Sequence, residues 1–115
     1  MHELSIAMSI VELAEEESQR RGGVHVTAVH LRLGLLAGVV KDALLFSYEI
    51  AREGTHVSDS QLIIDEIPGL IFCRTCDAPR PVTPPNWYLC SECGSPALEI
   101  VQGKELEVVS LEIEE

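Results

Sequence analysis

From residue 4 to about residue 20, the apolar side chains of Leu4, Ala7, Met8, Val11 and Ala14 recur at helical spacing, with Ile10 and Leu13 widening the stripe. The pattern predicts a helix with one buried face, and Gly22 and Gly23 stop it, because glycine supplies the left-handed backbone common at helix C-termini. The period then changes. Val29, Leu31, Leu33 and Leu35 alternate with His30, Arg32 and Gly34, as in a strand with one face buried. Val24 and Val26 lie out of phase, which predicts a bulge or a late strand start near Ala28. A second helical pattern follows Gly38, from about residue 40 to 53, in which Leu44, Tyr48 and Ala51 share a face with Leu45 beside it. Asp42 falls in its first turn, where a carboxylate complements the helix dipole, and that role is favoured over a catalytic one.

Residues 62–67 form a short apolar run closed by Pro68 and Gly69, read as a second strand. Between residues 70 and 94 the aliphatic pattern gives way to four cysteines and to Pro79, Pro81, Pro84 and Pro85, with too little apolar mass for a core of its own. Strand character resumes at 99–101 and 104–114, where Val109, Leu111 and Ile113 alternate with Ser110, Glu112 and Glu114. The last strand is expected to rejoin the first sheet, giving an α/β (α+β) domain from residues 1–69 and 97–115 around an inserted lobe at 70–96.

A length of 115 residues accommodates one modest core with a small satellite, not a multidomain enzyme. The formal charge of -11 weighs more: a nucleic-acid binder needs a basic face to release phosphate counterions, so nucleic acids and anionic membranes are discounted as partners. No apolar run is long enough to span a bilayer. The apolar N-terminal stretch is not read as a signal sequence, since Glu3 precedes it, no Lys or Arg does, and Glu15, Glu16 and Glu17 follow it. The expectation is a cytoplasmic protein with reduced thiols, in which paired Cys-x-x-Cys motifs indicate metal or redox chemistry.

Cys73-x-x-Cys76 and Cys90-x-x-Cys93 are separated by thirteen residues, enough for a hairpin that brings four thiolates together. Zinc prefers such a closed tetrahedral shell, and four thiolates leave no open position for water or substrate, so the expected role is structural. Structural zinc in small modules contributes roughly 10 to 16 kcal/mol of apparent folding energy. Gly94 and Asp77 directly follow the second cysteine of each pair and suit the turns that aim backbone N–H groups at sulfur. Trp87 and Tyr88 are expected to cover the site. A rubredoxin-like iron site and a free dithiol are the alternatives. A thioredoxin-type role would need a thiol at a helix start, which the proline-rich flanks do not supply.

The chain opens Met1-His2-Glu3. With His2 second, Met1 is expected to be retained. Its amine, the His2 backbone nitrogen and the His2 imidazole can then chelate a metal in adjacent rings, and the Glu3 nitrogen can complete a plane. Square-planar nitrogen ligation selects Ni(II) or Cu(II). By chemistry alone the signal is weak, since a terminal histidine is commonly frayed. His25, His30 and His56 lack ligand spacing and are read as surface residues.

Taken together, Met1-His2-Glu3-Leu4-Ser5, the run Leu44-Leu45-Phe46-Ser47-Tyr48-Glu49, both Cys-x-x-Cys pairs and Gln102-Gly103-Lys104-Glu105-Leu106 resemble the HypA/HybF hydrogenase maturation factors over essentially the whole chain. The resemblance implies two helices packed on a mixed three-stranded sheet, with a zinc lobe projecting between its second and third strands. It assigns nickel binding to Met1, His2 and Glu3, and structural Zn(II) to Cys73, Cys76, Cys90 and Cys93. It further implies a nickel metallochaperone that delivers Ni(II) for [NiFe]-hydrogenase maturation, acting with the GTPase HypB and the hydrogenase large-subunit precursor. The rival class is a zinc-ribbon docking module. An enzyme is disfavoured, because no nucleophile-and-base set or phosphate loop is present.

Overall fold

The computed structural model describes residues 2–114. The elements run α1 (Glu3–Arg20), β1 (His25–Gly34), α2 (Lys41–Ala51), β2 (Gln61–Ile67), β3 (Leu70–Cys73), β4 (Ala78–Pro81), β5 (Glu99–Gln102) and β6 (Leu106–Glu114). Helix α1 buries Ala7, Ile10, Val11 and Ala14 of the stripe its periodicity marks, together with Ser18, whose hydroxyl donates to the Val24 carbonyl at 2.5 Å, whereas Leu4, Met8 and Leu13 of that stripe are exposed. Strand β1 does not start late. Val26 and Ala28 are buried, and so are Val29, Leu31 and Leu33, so its inward face changes phase between Ala28 and Val29. Both registers read from the sequence therefore coexist in one irregular strand.

Two sheets are present. The first has the order β2-β1-β6. Strands β1 and β2 finish side by side, with the Leu35 N–H donating to the Ile67 carbonyl at 2.9 Å, the parallel arrangement expected of strands joined through a crossover helix. Strand β6 runs the other way along β1: Thr27 meets Glu112, Arg32 meets Glu107 and Gly34 meets Glu105. The sheet is thus mixed, as expected.

The chain divides into two compact units. The larger takes in residues 2–32, 39–65 and 107–114. Its core joins Ala7, Ile10, Val11 and Ala14 of α1 to Val26, Val29 and Leu31 of β1 and Leu44 and Tyr48 of α2, with Val108, Leu111 and Ile113 packed against them. The Tyr48 hydroxyl, buried among aliphatic side chains, is satisfied by Ser60 Oγ at 2.5 Å, and Ser60 in turn donates to the Val57 carbonyl. Burial pushes the Tyr48 pKa up.

The smaller unit comprises Leu33–Gly38 and Glu66–Leu106. It contains a second antiparallel sheet, β4-β3-β5, that periodicity did not reveal. Pro79 and Pro81 sit opposite Phe72 and Leu70 on β4, an edge strand, where a missing N–H is tolerated. Residues 70–94 are expected to lack a core of their own, and the small core they join is completed by residues outside that range. Ile71, Val82 and Ala97 are buried together, with Leu36 and Ile100 against them. Three of these five, Leu36, Ala97 and Ile100, come from outside 70–94. Close backbone packing also fixes Gly34, where a β-carbon would stand 2.0 Å from the Gly103 carbonyl oxygen. No described helix is long and apolar enough to cross a membrane.

Candidate metal centre and N-terminal site

Strand β3 delivers Cys73 at its last position, and a tight turn brings Cys76 back beside it. Asp77 makes this possible by adopting φ 54°, the left-handed conformation that Asp tolerates. The Cys76 N–H then points to Cys73 Sγ at 3.4 Å. The second pair repeats the device. The N–H groups of Glu92 and Cys93 point to Cys90 Sγ at 3.4 and 3.5 Å, and Gly94, with φ 75°, donates to the Cys90 carbonyl at 2.9 Å.

The four sulfurs converge. Cys73 and Cys93 Sγ are 3.6 Å apart, Cys76 and Cys90 Sγ are 3.9 Å apart, and all four lie within 4.8 Å of one another. No disulfide joins them. A tetrahedral ion with thiolate bonds of about 2.3 Å requires sulfur–sulfur edges of about 3.8 Å, so the donor set and its spacing fit a closed four-thiolate metal centre. Cys73 and Cys90 are buried while Cys93 is exposed. Trp87 and Tyr88, expected to cover the centre, remain 38% and 40% exposed.

Crowding four thiols separates their acidities. The Cys93 and Glu92 N–H groups pull Cys90 down to about 6, against the opposing effect of burial. Arg80 pulls Cys76 down as well, but the neighbouring sulfurs together with burial outweigh it and push that thiol up to about 11. At pH 7 the metal-free chain therefore keeps a proton on Cys76 that an incoming ion must displace. Metal uptake at pH 7 should release protons measurable with an indicator dye in weak buffer, and apparent affinity should fall on acidification. Uptake without proton release would contradict this.

At the other site, Met1 lies outside the described residues. His2 is exposed, precedes α1 in extended conformation, and accepts the Ile6 N–H on its carbonyl at 3.2 Å. Glu3 begins the helix, and its carboxylate accepts the Val40 N–H at 3.1 Å. That bond holds the Glu3 carboxyl below the usual range and fastens the start of α1 to the start of α2. The contact joins positions 37 apart, and no local pattern announces it.

The other histidines are accounted for by protein partners or exposure. His30 Nε2 meets Glu112 Oε2 across the β1–β6 pair at 2.6 Å, His56 is held by the Glu15 carboxylate, and His25 is exposed. Among the described residues, the four cysteines are the one group of three or more His, Cys, Asp or Glu side chains that could hold a metal ion.

Comparison with known proteins accords with this arrangement. The family described as hydrogenase/urease nickel incorporation, metallochaperone, hypA matches residues 1–113. Hydrogenase maturation factor HypA of Roseiflexus sp. (strain RS-1) is 46% identical over 115 residues, covering 100% of this chain and 94% of that protein. Its counterpart from Chloroflexus aurantiacus is 49% identical over 112 residues, covering 97% and 98%. The solution structure of the Ni metallochaperone HypA from Helicobacter pylori aligns with a TM-score of 0.66 at 26% identity, covering 98% of this chain and 97% of that one. The chain belongs to the HypA family of hydrogenase/urease nickel-incorporation metallochaperones, which are not enzymes.

Proposed function

We propose that this protein carries Ni(II) at its N-terminus, through the Met1 amine, the His2 imidazole and adjacent backbone nitrogens including that of Glu3, and delivers it for [NiFe]-hydrogenase maturation. The observation that carries the reading is the family match over residues 1–113, which includes the Met1-His2-Glu3 opening. The four-cysteine centre holds Zn(II) as a structural ion, and residues 70–96 serve as a zinc lobe on the nickel-binding domain of residues 1–69 and 97–115. The site of action is the cytoplasm. HypB, a GTPase, and the hydrogenase large-subunit precursor are the partners. Folding and delivery make different demands on a metal site. Four thiolates close a shell around their ion, whereas an exposed residue ahead of a helix can exchange ligands with a recipient.

Division of labour between two metals gives the test. Planar nitrogen ligation and a tetrahedron of soft thiolates serve different ions, so nickel added to zinc-loaded protein should bind at one equivalent per chain while the zinc stays in place. Mass spectrometry under native conditions distinguishes the outcomes. Release of one zinc for each nickel taken up would show that nickel enters the cysteine centre, and the N-terminal carrier reading would fail.

A further inference from the structure

In the sheet β2-β1-β6, strand β6 stands at an edge, paired on one side with β1 and open on the other among the described residues. A groove of about 550 Å³ runs between this strand and the second half of α1. All of residues 108–111 line it. Successive residues of a strand point to opposite faces of a sheet, so a cavity that touches four in a row lies against the open edge and not on either face. It occupies the place of a fourth strand. Leu13 of α1 and Val109 of β6, 48% and 52% exposed, give it apolar surface on both walls.

Charge decides the occupant. On the helix wall Glu16 and Glu17 balance Arg20 and Arg21, and both arginines bond Glu17, at 3.0 and 3.1 Å. Along β6 three carboxylates are exposed, Glu107, Glu112 and Glu114, and they are met from β1 by Arg32, 3.4 Å from Glu107, and by the His30 imidazole, 2.6 Å from Glu112. The strand is left acidic. A second copy pairing edge to edge about an axis between residues 110 and 111 would set Glu107 opposite Glu114, and like charges in that position destabilise the pair. We propose that the open edge of β6 receives an extended segment of a partner protein as a fourth strand, apolar side chains turned toward Leu13 and lysine or arginine set beside Glu107, Glu112 and Glu114. Main-chain hydrogen bonds hold an added strand of this kind, and its alternating side chains give the selectivity. Leu13 lies ten residues beyond Glu3, about 15 Å along the helix, so the surface is separate from the N-terminal site and does not depend on it.

The test uses zinc-loaded, nitrogen-15-labelled full-length protein and two blocked heptapeptides, one alternating lysine with valine and the other glutamate with valine. The lysine peptide should shift the amide resonances of residues 106–114 and of α1 from Leu13 onward, and should bind at least about 10-fold more tightly than the glutamate peptide. Leu13→Lys, which changes an exposed side chain and brings positive charge into the groove, should weaken the lysine peptide by about 10-fold, and Glu114→Lys should weaken it several-fold. Absence of shifts along β6, equal binding of the two peptides, or wild-type binding by both variants would overturn the proposal. A dimer in sedimentation whose β6 amides are protected without peptide would also overturn it, since the edge would then belong to a second copy.

Discussion

Replacing Cys76 with Ser is expected to abolish stoichiometric zinc and to loosen residues 66–106, while the larger unit keeps its helices. The physical reason is the unequal distribution of apolar mass. The larger unit closes around eleven buried residues, from Ala7 to Leu62, but apart from Leu33 and the cysteines Cys73 and Cys90 the apolar cluster buried in the smaller unit is only Ile71, Val82 and Ala97. Three small or medium side chains cannot offset the ordering entropy of some forty residues, so the metal must supply the difference. Loss of one thiolate also opens the shell. Since disturbing a partner of a ligand already costs about 10- to 100-fold in affinity, removing a ligand should cost more. Metal analysis should show the loss of zinc, and amide hydrogen exchange should show lost protection in β3, β4 and β5 with protection in α1 and α2 retained. Uniform loss of protection across both units would show that the two fold as one, and unchanged protection would show that zinc is dispensable.

The second large effect is expected at His2. An imidazole and a terminal amine on adjacent residues close small chelate rings, and removing either leaves too few nitrogens to hold nickel in a plane. His2→Ala should therefore weaken nickel binding by more than about 100-fold, again exceeding the cost of losing an outer partner. Folding should be unaffected, because the His2 side chain is exposed and makes no capping bond to α1. Glu3 gives a useful contrast. Its carboxylate is engaged with the Val40 N–H, and a glutamine oxygen can accept the same bond, so Glu3→Gln should leave nickel affinity closer to wild type. Circular dichroism and zinc content control for folding. A His2→Ala protein that binds nickel as wild type would place the carrier site elsewhere.

Much of the larger unit was legible because its information is periodic. The Leu44–Tyr48 face of α2 and the Ala7, Ile10, Val11 and Ala14 part of the α1 stripe lie where spacing puts them, though Leu4, Met8 and Leu13 do not, and β1 even displayed its irregularity as two sets of valines and leucines out of phase. The sulfur centre was legible for a different reason: two cysteines three positions apart on a tight turn face one another whatever surrounds them. What escaped the sequence is whatever depends on partners far along the chain. Strand β4 carries two prolines in four residues and owes its existence to the backbone of β3. The core of the smaller unit is assembled from Leu36, Ile71, Val82, Ala97 and Ile100, none of which forms a local pattern. The Glu3–Val40 bond belongs to the same class, since a single polar contact across a fold has no period to read.

The carrier site is tested most directly by nickel titration calorimetry on zinc-loaded protein that begins at Met1, compared with the same protein bearing one additional residue ahead of Met1. The added residue converts the Met1 amine to an amide and moves the new amine away from His2, so the chelate ring is broken while every side chain is retained. The account predicts one tightly bound nickel per chain in the first protein and loss of that site in the second, with equal zinc content in both. Equal nickel affinity in the two proteins would contradict it.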